Sequence, residues 1–168
     1  EVKLAFARHA TSKIRSIDDL NQIVTLGFRG ESLSSIASVS QIGVTTRDRG
    51  ESAGTQLRLE GGYVIQEQPT GAPAGTVITV ENLFYNTPAR LKFLKKVTTE
   101  KRHVTALVTR YAMAYPAVRF VLEQDGREIF RSNGGGTLAD VLVKALNLDN
   151  FKQMVAVESR DPARDRRP

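Results

Sequence analysis

Apolar residues along this chain repeat first every three to four positions, then every second position, and then helically again. Val2, Leu4, Ala5 and Phe6 read as the end of a short helix that gives way to the polar loop Arg8-His9-Ala10-Thr11-Ser12-Lys13. Ile17-Asp18-Asp19-Leu20 opens another short helix, with an aspartate placed to accept from its free first-turn amides. Gly27-Phe28-Arg29-Gly30 breaks that helix. Leu33, Ile36, Ala37 and Val39 follow at helical spacing, with Ser32, Ser34, Ser35 and Ser38 expected on the opposite face.

Beyond residue 40 the period becomes two. Ile42, Val44 and Thr46 alternate with smaller or polar neighbours, as do Leu57 with Leu59 and Tyr63 with Ile65, and turn residues separate the runs. Thr76-Val77-Ile78-Thr79-Val80 is β-branched or apolar on both faces, which predicts a buried strand. An antiparallel meander laid against helices is an α+β layer. Asn86-Thr87-Pro88 then starts a helix, since proline lacks only an N–H that the first turn leaves unpaired anyway. From Leu91, Phe93 and Leu94 to Val104, Leu107, Val108, Tyr111 and Ala112 runs one long amphipathic stretch, ended by Tyr115-Pro116. A hairpin turning at Asp125-Gly126 and a helix over 138–146 follow. Residues 159–168 carry no aliphatic side chain larger than Ala163 and read as a disordered or cut tail.

Composition narrows the classes. The 168 residues are 40% hydrophobic and 25% charged, the balance of a globular protein. No stretch approaches the roughly 20 apolar residues that span a bilayer, so no membrane association is expected. Glu1-Val2-Lys3 begins no leader pattern, and a cytoplasmic setting (nucleoid-associated in a bacterium) is expected. The absence of cysteine excludes disulfides and thiol nucleophiles, and His9 and His103 are too few for a histidine-rich zinc site. The net charge of +6 is concentrated. Arg90, Lys92, Lys95, Lys96, Lys101, Arg102 and Arg110 lie within 89–110, opposed only by Glu100. Such a cluster is the footprint of a polyanion partner, or else a solvated helical face.

Three segments carry candidate chemistry. In Leu26-Gly27-Phe28-Arg29-Gly30-Glu31-Ser32-Leu33, two glycines flank a turn that feeds a helix. Free amides there can face an anion, glycine permits close approach, and Arg29 adds a charge-assisted donor. The alternative is an ordinary helix corner. Ala10-Thr11-Ser12-Lys13 offers two hydroxyls and an ammonium on a polar loop, suited to phosphate contact across a closing lid, or simply a solvated turn. Thr76, at a strand's start, can face a base or ribose, or belong to the sheet alone.

Taken together, Arg8-His9-Ala10-Thr11-Ser12-Lys13-Ile14, Gly27-Phe28-Arg29-Gly30-Glu31-Ser32-Leu33-Ser34-Ser35-Ile36, Gly75-Thr76-Val77 and the run from Asn82 through Asn86-Thr87-Pro88-Ala89-Arg90 to Leu94 closely resemble the MutL family of DNA mismatch repair proteins, which are GHKL (Bergerat-fold) ATPases. The order and approximate spacing agree, and the resemblance covers 2–158. It implies the back half of a Bergerat α/β sandwich with an antiparallel or mixed sheet over 1–100, part of a ribosomal-protein-like transducer domain over 101–158, and the tail 159–168. It also implies that Gly27, Phe28, Arg29, Gly30, Glu31, Ser32 and Leu33 wrap the phosphates of ATP. Thr11, Ser12 and Lys13 would belong to the lid that orders on binding, and Thr76 would sit near the adenine. Lid ordering would promote homodimerisation. The dimer would contact DNA along a basic groove through Arg90, Lys92, Lys95, Lys96, Lys101 and Arg102, and act with a MutS-type mismatch-recognition protein to direct nicking and excision.

The family's general-base Glu, the Asn that holds Mg²⁺ and the Asp-x-Gly-x-Gly motif that reads adenine are expected ahead of Glu1, so the chain is an internal fragment with no catalytic or metal-binding residue of its own. Asp125-Gly126 does not replace them, because it sits in a hairpin without the following glycine. The intact parent is expected to be an ATPase, and this chain alone is expected not to hydrolyse ATP. A different class remains as alternative. Gly27 to Gly30 also fits the loop with which KH modules clamp single-stranded nucleic acid, although Glu31, Asp18 and Asp19 put negative charge where that backbone would lie.

Overall fold

The structure is a computed structural model that describes residues 2–11, 19, 27 and 30–157. It divides into two compact units, Glu1–Leu94 and Lys95–Pro168. The elements are α helices and strictly antiparallel strands, an α+β arrangement as the change of period predicts.

The first unit opens with a short 3-10 helix, Val2–Phe6, followed by α1 (Ser32–Ala37), β1 (Gln41–Arg47), β2 (Gly54–Glu60), β3 (Tyr63–Thr70), β4 (Gly75–Glu81) and α2 (Pro88–Leu91). The four strands form one sheet in the order β3-β2-β1-β4. β1 sits inside it, pairing Val44 with Leu57 on one side and with Ile78 on the other. Cross-strand partners share a face, so Ile42, Val44, Leu57 and Leu59 project together. Phe6, Ala37, Val2 and Leu33 cover them, making the core of this unit.

Two expectations are corrected here. Thr76 to Val80 is a strand, but among the described residues it is an edge strand paired with β1 alone, and Val77, Ile78 and Val80 are all substantially exposed. Ile78 and Val80 lie on the core face, beyond the reach of the six-residue α1 and the 3-10 helix. On α1 the faces also differ from the simple pattern. Ser34 and Ala37 are buried with Leu33 against them, while Ile36 is exposed. Residues 33 and 34 each lie one turn before 37, and two small side chains let the short helix approach the sheet closely. The helix reading over 17–20 lies outside the described residues.

The second unit consists of α3 (Val97–Ala114), β5 (Val121–Gln124), β6 (Arg127–Arg131), α4 (Leu138–Leu146) and α5 (Leu148–Lys152). Asp125 (φ 52) and Gly126 (φ 72) make the two-residue hairpin turn that matches strand twist. Ala112, Phe130 and Val141 form the core, with Val108, Met113, Phe120, Leu122 and Ala145 against them. The buried Ser132 hydroxyl accepts from the Phe120 amide at 2.9 Å and donates to the Val118 carbonyl at 3.2 Å, tying the segment before β5 to the one after β6. Thr137 caps α4, accepting from the Asp140 amide.

The long amphipathic stretch is broken. α2 ends at Leu91, residues 92–96 are not helical, and α3 begins at Val97. Residues 97–100 form the first turn of α3, within the second unit.

Candidate functional site

The two loops with phosphate-binding character, well separated in sequence, meet at one junction. Gly30 adopts φ +64, and a Cβ built on it would fall 2.6 Å from the Ala10 carbonyl carbon and 3.1 Å from its nitrogen. No L residue with a side chain fits there without displacing Ala10, so both the left-handed backbone and the close approach require glycine. One position further along the second loop and one back along the first, His9 Nδ1 lies 3.2 Å from Glu31 Oε1. His9 is itself left-handed (φ 60), in a turn where the Ala10 amide donates to the Ala7 carbonyl.

Glu31 leads directly into α1 as its N-cap, without a side-chain cap of its own. Its carbonyl accepts from the Ser34 hydroxyl at 3.0 Å, and Leu33 packs on the core, so the start of α1 is anchored from below. The far end of α1 is anchored as well. The Ser38 carbonyl accepts from Asn86 Nδ2 at 2.9 Å, and the Val39 carbonyl accepts from the Phe84 amide at 2.7 Å. Asn82 and Phe84 take left-handed backbone (φ 52 and 66), an uncommon state for a bulky aromatic. This corner, made by the Asn82 to Asn86 segment, was legible as a motif but not as the clamp on α1.

Among the remaining expected nucleotide residues, Thr11, Gly27 and Ser32 are described, and Ser12, Lys13, Phe28 and Arg29 lie outside the described residues. Thr76 stands at the start of β4 opposite Thr46, and their hydroxyls hydrogen-bond at 2.7 Å. Register puts Thr76 on the same face as Ile78 and Val80, where β4 extends past the cover that the 3-10 helix and α1 give β1 and β2.

The basic residues divide between the units. Arg90 lies in α2 and Lys92 in the turn after it, while Lys95 and Lys96 precede α3 and Lys101, Arg102 and Arg110 lie on it. Lys101 forms an ion pair with Asp125 in the hairpin turn. The Lys95 amide donates to Glu100 Oε1 at 2.8 Å, so the one acidic residue of the segment is engaged by the backbone ahead of α3. Within the second unit, Lys101, Arg102 and Arg110 line a groove of about 670 Å³ together with Thr98, Thr105 and Thr109.

Among the described residues, no group of three His, Cys, Asp or Glu side chains can hold a metal ion, and no helix is long and apolar enough to cross a membrane. Among the described residues, the groups whose titration is displaced belong to the second unit. Glu128 is held below the usual carboxylate range chiefly by its hydrogen bond from Arg131, which is raised in turn.

Comparison with known proteins gives a consistent picture. No protein-family model matches the chain. The DNA mismatch repair protein MutL of Desulforamulus reducens is 51% identical over 157 residues, covering 94% of this chain and 24% of that protein. MutL of Shouchella clausii is 48% identical, with the same coverage of each. Among solved structures, the Aquifex aeolicus MutL ATPase domain complexed with ADP matches with a TM-score of 0.65 and 34% identity, covering 78% of this chain and 52% of that one. The chain thus spans about a quarter of the length of these curated relatives and about half of that solved chain.

Proposed function

This chain belongs to the MutL family of DNA mismatch repair proteins, and on that premise we propose that its first unit holds the phosphates of ATP at the junction of residues 8–13 and 27–33. The observation that carries this reading is the packing of Gly30 against Ala10, which joins the two loops of phosphate-binding character into one surface. The amides at Glu31, Ser32 and Leu33 precede the first α1 residue with an intrahelical partner, so they are available to phosphate oxygens. Arg29 and Lys13 supply charge, Thr11, Ser12 and Lys13 act as the lid, and Thr76 faces the adenine side. The related Aquifex aeolicus domain was solved with ADP, which supports a nucleotide of this class.

The described residues do not fit Mg²⁺, since they hold no cluster of metal-binding side chains and Glu31 is engaged by His9. No step is therefore routed through a metal. A KH-like use of Gly27 to Gly30 is the less supported alternative, because the relatives that match 94% of the chain are DNA mismatch repair proteins.

DNA is the proposed second ligand, bound through phosphate contacts from Arg90, Lys92, Lys95, Lys96 and Arg102. Such contacts give sequence-independent, salt-sensitive affinity. Lys101 contributes less than its charge implies, because Asp125 already neutralises it. Dimerisation on ATP binding, partnership with a MutS-type protein and coupling to nicking and excision are the proposed roles of the whole protein.

Equilibrium binding of radiolabelled ATP tests the central part. Lys13→Ala and Arg29→Ala are each expected to weaken binding by about tenfold, the worth of one charge-assisted hydrogen bond. Affinity unchanged in both would remove the phosphate site from these loops.

A further inference from the structure

His9 is outside the set of residues assigned to nucleotide, yet it stands at the centre of the junction. Two adjacent rungs join the loops: His9 to Glu31 through side chains at 3.2 Å, and Ala10 to Gly30 through backbone packing. The loop carrying His9 continues directly into Thr11. The loop carrying Glu31 continues into the exposed first turn of α1. A carboxylate at this position would repel phosphate oxygens unless its charge were engaged.

We propose that His9 is a positioning residue of the nucleotide site. Through Glu31 it holds Ala10-Thr11 against Gly30, fixing the spacing between lid and phosphate loop, and it turns the Glu31 carboxylate away from the anion. The inference rests on the nucleotide reading given under Proposed function. Both side chains are more than half exposed, at 79% and 52%, so the pair adds little to global stability. Its effect falls on local opening of the junction, which amide exchange reads directly.

The left-handed backbone of His9 dictates the variants. Asparagine and aspartate both tolerate positive φ and are nearly the same shape. Asparagine keeps a nitrogen donor near the position of Nδ1, whereas aspartate replaces it with a second carboxylate facing Glu31. Hydrogen exchange of the Ala10, Thr11 and Gly30 amides is measured in the full chain without nucleotide, with 41–60 as the internal check that the sheet is folded.

His9→Asn is expected to exchange within about twofold of the native chain, and His9→Asp about three- to tenfold faster at the junction alone. Equal exchange in the two variants would overturn the proposal, because the side chain would then contribute only its tolerance of the turn. A parallel titration with ADP separates the two ideas. A native chain that does not bind ADP refutes the nucleotide reading, whereas the exchange comparison decides the His9–Glu31 clamp on its own.

Discussion

Replacing Gly30 with alanine tests the junction at its tightest point. Two costs add. An L residue at φ +64 loses about 1–2 kcal/mol relative to glycine. The new Cβ also overlaps the Ala10 carbonyl, at 2.6 Å from its carbon, and overpacking of this kind typically costs about 1–3 kcal/mol where backbone must give. Gly62 provides the control within the same unit. Its φ is +90, but a Cβ there would meet Ser38 Cα at 3.5 Å, an ordinary contact. Gly62→Ala therefore carries the backbone cost alone. Urea unfolding followed by circular dichroism should show Gly30→Ala less stable than Gly62→Ala by about 1–3 kcal/mol. Should Ala10 swing away instead, the stability gap narrows and amides 7–11 lose protection from exchange. Equal stability of the two variants with native protection at 7–11 would refute the close packing of the loops.

Three further outcomes follow from other parts of the molecule. Leu57 is fully buried, so Leu57→Ala is expected to cost about 2–5 kcal/mol in urea unfolding, whereas Val77→Ala, at a position 64% exposed, should stay within about 0.5 kcal/mol. Charge reversal at Lys95 and Lys96 should weaken duplex DNA binding and make its salt dependence shallower, by about one unit of slope for each phosphate no longer neutralised; unchanged binding would mark the segment as a solvated face. Glu128 is held low chiefly by its hydrogen bond from Arg131, with burial opposing. Because its folded value is depressed, the stabilisation from this pair is present above the unfolded carboxyl range and is lost as pH falls through the folded value. The NMR titration midpoint of Glu128 should lie below that of a free glutamate and return to it in Arg131→Gln; the same midpoint in both proteins contradicts the assignment.

Much of the fold is legible because local rules and packing agree. Ile42, Val44, Leu57 and Leu59 alternate since one face of the sheet is covered by α1 and the 3-10 helix, and a slip of one residue would turn all four outward. Asp125-Gly126 reads as a hairpin because both residues take the positive φ that such a turn demands. β4 misleads for an equally physical reason. Its β-branched residues record fitness for a strand, but burial depends on which layer lies over them, and no local pattern encodes that. The start of α3 carries little signal, since Lys96 offers no capping side chain.

The same division runs through the site. The motifs Arg8 to Ile14 and Gly27 to Ile36 each also fit a solvated turn or an ordinary helix corner, and they point to nucleotide chemistry only together, through the resemblance to a family. Their meeting through His9–Glu31 and Ala10–Gly30 is tertiary, and so invisible to any window along the chain. Thr76 shows the mixture. Its position at a strand start is readable, while its hydroxyl pairing with Thr46 follows from a register set by residues far along β1 and β4.

The central claim is that nucleotide phosphates sit where the two loops join. The most direct measurement is an NMR titration of the ¹⁵N-labelled chain with ADP, followed through its backbone amides. Shifts are predicted to concentrate at Ala10, Thr11 and Gly30 to Leu33, with a smaller response at Thr76 and none in α4. Shifts confined to 95–110, or none at saturating ADP, would contradict that claim.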